Sequence, residues 1–396
     1  MQSDVRPGAW LRLTALWGAA ATLLAVVSGA LALGTAHRVL AALALPSLVA
    51  LLVAGFVVHR RLVPVALAAL GLFGAAALVT GKDAHLALAA LAFAASLVSV
   101  AATYRGEPVP AGAWRDYVTL TKPRIMSLLL VTGACGMVVG ARAWPGTGAF
   151  AAAMGGLALA CGGASALNHV LDRDIDRLMG KRTDRRPVAA GRLEPGRALE
   201  FGLALSAFSF VLLAGTVNVL TAALALSGNL FYVLVYTRWL KRSTPQNIVI
   251  GGAAGAVPPL VGWAAATGNL TLPALALFAI VFFWTPPHFW ALALLIRRDY
   301  EAARVPMLPV VRGERETTRQ IVLYTVALIA ITAVPFAAGT VGLGYLAAAL
   351  ALGGGFLVLA LWLRRHADRR RAGLLFHYSL LYLALLFAAM VLDVAL

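Results

Sequence analysis

Apolar stretches of 18 or more residues recur from one end of this 396-residue chain to the other. A run of that length crosses a bilayer core as a helix, because lipid offers no partner to exposed backbone N–H and C=O groups. With 61% apolar and 12% charged residues, the composition excludes an ordinary soluble domain. The chain reads as an all-α, polytopic membrane protein. Its first apolar run, after Arg12, is too long for a signal-peptide core and precedes no convincing cleavage site, so it counts as a membrane helix.

About thirteen spans are expected. Four lie at roughly 13–34, 38–57, 63–80 and 85–103, and nine more between roughly 125 and 395. Between the two groups stands RGEPVPAGAWRDY, rich in Pro, Gly and charge, which reads as a linker. The predicted organisation is therefore a four-span unit over 1–104, a linker over 105–118 and a nine-span unit over 119–396. Within the latter, Pro258-Pro259 and Pro286-Pro287 interrupt two spans and should face protein or a polar cavity. Gly251 and Gly255, four apart, carry a close-packing signature.

The formal net charge of +17 does not point to nucleic acid, because the cations sit in short loops between spans. One set of loops holds Arg115, Lys122 and Arg124, a cluster after Asp176, then Arg238 to Arg242, Arg297 to Arg319 and Arg364 to Arg371. The alternate loops TVNV, ATGNLT and GTVGLG carry no charge. That asymmetry predicts a cell-membrane protein with the charged loops and the N-terminus in the cytoplasm and the C-terminus outside. Cys135 and Cys161 fall in apolar segments and read as small packing residues.

Chemistry concentrates where one span reaches water, in NHVLDRDIDRLMGKRTDRRP at 168–187. Asn168, Asp172 and Asp176 are spaced by four, so on a helix they form one stripe. Asp174 lies off it. Arg177, Lys181, Arg182, Arg185, Arg186, Arg192 and Arg197 follow. Hard oxygen ligands beside cations suit a Mg²⁺–diphosphate: carboxylates hold the metal and the cations neutralise phosphate oxygens. The competing reading is a solvated positive-inside loop whose acids offset its bases. A second charged loop, RRDYEAARVPMLPVVRGERE, begins at the end of a later span and places Asp299 and Glu301 at the membrane exit. The span before it contains FFWTPPHFWALALL. His288, just past the Pro-Pro pair, has either a substrate-related role or a structural hydrogen bond.

The stretches LTKPRIMSLLL (120–130), 168–187, YTRWLKRSTPQNIVIGGAAGAVPPLVGW (236–263), WTPPHFWALAL (284–294) and DYEAARVPMLPVV (299–311) carry a resemblance. They resemble the UbiA superfamily of intramembrane prenyltransferases and, within it, the haem-specific branch of protohaem IX farnesyltransferases, or haem O synthases. The resemblance implies a nine-helix bundle and a Mg²⁺-dependent enzyme that transfers a farnesyl group from farnesyl diphosphate to the vinyl group of haem B. It implies Asn168, Asp172, Asp176 and Asp299 as metal-side residues, with Glu301 a weaker choice. Lys122, Arg124, Arg182, Arg185, Arg186, Tyr236 and Lys241 are implied as diphosphate ligands, and Trp284, His288, Phe289 and Trp290 as a substrate pocket. Many superfamily members carry a second Asp-x3-Asp; here Ala303 stands four residues after Asp299, which leaves a second metal's ligands open.

His37 and His85 begin the second and fourth spans at matching depth, so they are candidate axial ligands of a bound haem in the N-terminal unit. This unit weakly resembles half of haem A synthase, which makes that enzyme a candidate partner. Two interfacial histidines in a structural module is the alternative. For the whole chain, the competing readings are a UbiA-type enzyme acting on an aromatic acid or quinone precursor, and an ion-coupled transporter. Against the transporter, the acids cluster at one membrane face and not at the midplane.

Overall fold

The computed structural model describes residues 9–30, 34–57, 63–78, parts of 88–99, 114–180 and 183–395. Every regular element among them is helical. In the N-terminal part, α1 (Ala9–Ala30), α2 (Gly34–Val57) and α3 (Val63–Leu78) match the first three expected spans. Ala76, Ala89 and Phe93 of this part pack against Leu157 and Ala160 of one core helix and Leu213 of another. The side chain of His37 and all of His85 lie outside the described residues, as do Lys181 and Arg182.

After the short α4 (Trp114–Leu120) come α5 (Pro123–Ala141), α6 (Thr147–Leu171), the short α7 (Arg173–Leu178) and α8 (Pro195–Thr216). Then follow α9 (Val219–Ser243), α10 (Asn247–Thr267) and α11 (Leu272–Leu295). Two short helices, α12 (Arg297–Ala302) and α13 (Leu308–Val311), build the second charged loop. The chain closes with α14 (Gly313–Ala337), α15 (Leu343–Arg365) and α16 (Arg369–Ala395). Among the described residues nine helices are long and apolar enough to cross a membrane, all between Pro123 and Ala395. The protein is thus a polytopic membrane protein, as its hydropathy requires.

Successive spans are neighbours, and α16 returns to α5, so the nine form a closed ring. Further contacts, most extensively α5 with α10 and α11 with α16, draw the ring together across its middle. The α5–α10 crossing is backbone to backbone: a Cβ on Gly262 would collide with the Gly133 carbonyl. Without a hydrophobic drive between helices in lipid, such small-residue contacts supply the packing. The Gly251/Gly255 pairing is only half realised. Gly251 lies under the Tyr236 ring, whereas Gly255 has no neighbour within 4 Å of where its Cβ would stand. All four interrupting prolines are buried, and α10 and α11 run through them as continuous helices.

Candidate active site

The site grows from the end of α6. Backbone bonds Asp172 N–Asn168 O and Asp176 N–Asp172 O, both 2.8 Å, carry the four-residue register across the break between α6 and α7. The stripe predicted from spacing therefore exists, with Asn168 3%, Asp172 0% and Asp176 1% exposed. Asn168 Nδ2 donates to Asp172 Oδ2 at 2.8 Å and to Thr237 Oγ1 at 3.1 Å. Asp174, off the stripe, is exposed and forms a two-pronged pair with Arg242 at 2.7 Å on each side. That guanidinium holds the Asp174 carboxyl well below the usual carboxylate range.

Three cations reach the stripe from three elements. Lys122 sits at the turn before α5 with φ 49°, a left-handed conformation that a lysine adopts only when its surroundings enforce it. The turn is tied down by Ser165 Oγ donating to the Leu120 carbonyl at 2.6 Å. Its Nζ then donates to Asn168 Oδ1 at 2.8 Å. Arg186 pairs with Asp176 Oδ1 at 2.7 Å, and Lys241 with Asp172 Oδ2 at 2.5 Å. Burial, then the Arg186 charge, drives the Lys122 amine down to about 7. A bound anion would restore its charge. Burial raises Asp176 against the pull of Arg186.

Lys241 arrives by a helical irregularity. Phe231–Leu240 is a π-helix within α9. On an α-helix, Tyr232 and Lys241 would point to opposite sides; a π-helix turns roughly once per 4.4 residues and brings them to one side. Tyr232 stacks on Tyr236 at 5.4 Å between centroids, and Thr237 reaches Asn168 from the same stretch. Gly251→Ala tests this wall: the added methyl strikes the Tyr236 ring. It should cost about 1–3 kcal/mol in stability and lower turnover, read by thermal unfolding and activity in detergent micelles.

The second loop closes on the first through an apolar floor. Ile175 and Met179 of the α7 segment pack with Ile248, Ala303, Val305 and Met307, and with the half-buried Tyr236, Phe289 and Tyr300. The Tyr300 phenol lies within electrostatic reach of Lys241, Arg186, Asp172 and Asp299, and burial raises it. Asp299 and Glu301 instead line a separate cavity with Arg297 and Asp368. Among the described residues no three His, Cys, Asp or Glu side chains are placed to hold one metal ion. Asp299 is therefore not brought into one cluster with Asp172 and Asp176.

Other predicted residues divide. Arg177 donates to the Ala189 carbonyl at 2.9 Å and Arg192 pairs with Asp116 at 2.9 Å, so both brace the loop. Arg124 and Arg185 are exposed and, among the described residues, make no ion pair with the stripe's acids. Trp284, His288, Phe289 and Trp290 do not share one wall. Phe289 faces the floor described above, Trp290 packs edge-on to Tyr324 of α14, and Trp284 and His288 face α16. Helical spacing dictates this, since 284 and 288 share a face that 290 opposes. Sequence reading missed Tyr232, Thr237 and Tyr300, whose only signal was position beside residues already chosen. It also missed His169, buried with neither ring nitrogen bonded.

The geometry fits a divalent cation. Asp172 Oδ1 and Asp176 Oδ2 are buried without a hydrogen-bond partner, while their sister oxygens bind Lys241 and Arg186. Unpaired carboxylate oxygens are costly to bury and are the donors that Mg²⁺ prefers.

Comparison with known proteins identifies the family of the chain. The UbiA prenyltransferase family model matches residues 129–389. The chain is 55% identical over 293 residues to "Protoheme IX farnesyltransferase" of Thermus thermophilus, covering 73% of this chain and 48% of that protein. It thus spans about half the length of that relative. To the protein of the same name from Symbiobacterium thermophilum it is 56% identical, over 71% of this chain and 94% of that one. Among solved structures, a digeranylgeranylglyceryl phosphate synthase aligns with TM-score 0.60 at 16% identity, over 71% of this chain and 98% of that one. A UbiA homologue from Archaeoglobus fulgidus bound to DMAPP and Mg²⁺ aligns with TM-score 0.54 at 18% identity, over 69% and 99%. These two share the fold. The family match over residues 129–389, with relatives more than half identical, places the chain in the UbiA prenyltransferase family.

Proposed function

We propose that this chain transfers a farnesyl group from farnesyl diphosphate to the vinyl group of haem B, giving haem O. The observation that carries the reading is the pair of unpartnered carboxylate oxygens on Asp172 and Asp176 beside Lys122, Arg186 and Lys241. The choice of acceptor is supported by two relatives more than half identical, both named protoheme IX farnesyltransferase. Asn168, Asp172 and Asp176 would hold Mg²⁺, which stabilises the negative charge that grows on the leaving diphosphate. Lys122, Arg186 and Lys241 bind diphosphate oxygens, with Arg182, Arg185 and Arg124 as further cations from the same loops. The Tyr232–Tyr236 pair walls the site, and the apolar floor keeps water from the allylic cation. The second charged loop closes over the site through its apolar floor and Tyr300, while Asp299 lines the neighbouring cavity.

The reading keeps three units: 1–104, the linker 105–118, and 119–396. In it His37 and His85 hold a haem in the first unit, and haem A synthase takes the product. Incubation with haem B, farnesyl diphosphate and Mg²⁺, then mass analysis of the extracted haem, tests the activity. The farnesyl group bonds to the vinyl carbon as diphosphate leaves, and water captures the resulting carbocation with loss of a proton, so a mass increase by the farnesyl and hydroxyl groups supports it. Unchanged haem with farnesyl transferred to an aromatic acid points to another UbiA-type reaction, and no consumption of farnesyl diphosphate points to a carrier.

The site opens to the cytoplasm in this reading, because the charged loops share its face. Thr183 is buried, but its neighbour Asp184 is exposed. In a chain with Cys135 and Cys161 replaced by alanine, Asp184→Cys should label from the cytoplasmic side alone. Labelling from outside would invert the topology.

A further inference from the structure

His169 stands on the same helix as the stripe, and the site described above leaves it unused. It is 1% exposed, and neither Nδ1 nor Nε2 has a hydrogen-bond partner. An imidazole always carries at least one N–H, so a donor is enclosed here without an acceptor. Burying a polar group unbonded costs free energy, and each such group calls for a physical reason. Helical geometry shows which way this one faces. Asp172 follows three residues later and Asp176 seven. Seven residues make almost two turns, so His169 lies within about 20° of Asp176 around the axis. The backbone bonds from Asn168 to Asp172 and from Asp172 to Asp176 carry that register through. His169 thus shares the stripe's face, roughly 4.5 Å further from the charged loops than Asp172.

Three groups on one face are left with opposite needs. Asp172 Oδ1 and Asp176 Oδ2 are buried acceptors without a donor, and His169 is a buried donor without an acceptor. They do not bond to one another. Lys122, Arg186 and Lys241 lie within electrostatic reach of the imidazole. Those cations offer nothing that an N–H can bond to, so the missing acceptor comes with a ligand. A diphosphate held through a divalent cation satisfies all three groups. The carboxylate oxygens meet the metal, and the imidazole N–H meets a phosphate oxygen. The prenyl tail runs away from the charged loops into the apolar helices, so the α-phosphate is the deeper of the two. His169 is also the deeper group, one helical turn past Asp172.

We propose that His169 is a further catalytic residue of this site, donating its imidazole N–H to an oxygen of the α-phosphate, the group from which the allylic carbon departs. The carbon–oxygen bond breaks with its electron pair left on that phosphate. The hydrogen bond strengthens as the charge grows, and no proton is transferred. The proposal rests on the diphosphate reading of the stripe and adds a leaving-group donor to it.

The test compares the full chain with three substitutions. His169→Phe keeps a flat ring and removes both nitrogens. His169→Gln and His169→Asn return an amide N–H near the place of Nε2 or of Nδ1. With Mg²⁺ present, His169→Phe should bind farnesyl thiodiphosphate at least tenfold more weakly than the parent. Its kcat with farnesyl diphosphate should fall at least ~100-fold. One of the two amide variants should regain most of both losses. Parental affinity and kcat in His169→Phe overturn the proposal. So does an equal loss in all three variants, which is the mark of a packing role. If His169→Phe misfolds, His169→Leu takes its place in the same comparison. The parent separates the two levels of the reading. Absence of Mg²⁺-dependent thiodiphosphate binding removes the diphosphate site and His169 with it, whereas binding that survives His169→Phe undiminished removes His169 alone.

Discussion

Asp172→Ala and Asp176→Ala should each lower turnover by at least ~10³-fold, equivalent to about 4 kcal/mol at the barrier. Each substitution removes one of the two buried carboxylate oxygens that lack a partner within the protein. The conservative changes Asp172→Asn and Asp176→Asn separate chemistry from folding. The amide keeps one oxygen for Lys241 or Arg186 but loses the charge that a divalent cation requires. Both Asn variants should therefore elute and unfold close to the parent while remaining inactive. Near-parental turnover in either would remove that residue from the metal site. Asp174→Ala is the internal contrast, because its carboxylate is exposed and engaged by Arg242; it should retain most activity.

Lys241→Met should be damaging in a different way. Asp172 is fully buried, and among the described residues Lys241 is the cation that pairs with it directly. Removing one partner of a buried pair strands the other charge, at a cost of about 3–5 kcal/mol. The unfolding temperature should fall and turnover should drop at least ~10²-fold. Added Mg²⁺ should recover more unfolding temperature in Lys241→Met than in the parent, because the cation binds next to the stranded carboxylate. An equal Mg²⁺ response in the two proteins would mean that Asp172 does not meet the metal.

Much of this arrangement was legible in the sequence because it follows from periodicities. Spans declare themselves by length in lipid, and the nine core helices stand where hydropathy put them. The four-residue spacing of Asn168, Asp172 and Asp176 needs only helical geometry, and the register holds through the α6–α7 break. Less regular backbone was not legible. The π-helix over Phe231–Leu240 turns Thr237 and Lys241 inward, and nothing in those ten residues marks a departure from the α-helix. The left-handed Lys122 likewise depends on a turn held by Ser165 from another helix. Loop cations could be counted but not sorted. Arg186 meets Asp176, whereas Arg177 and Arg192 brace the loop itself, a distinction made by the path of residues 180–194. The WTPPHFW string suggested one pocket wall, but consecutive helical residues point in different directions, and its four candidates meet three different neighbours.

The central claim is that the stripe binds diphosphate through a divalent cation. It is tested most directly by equilibrium binding of a non-ionising farnesyl thiodiphosphate, with Mg²⁺ present and then chelated. The parent chain should bind at least tenfold more weakly after chelation, and Asp172→Asn and Asp176→Asn should bind weakly and equally under both conditions. Parental binding that ignores chelation, or Asn variants that keep the full Mg²⁺ dependence, would contradict the account.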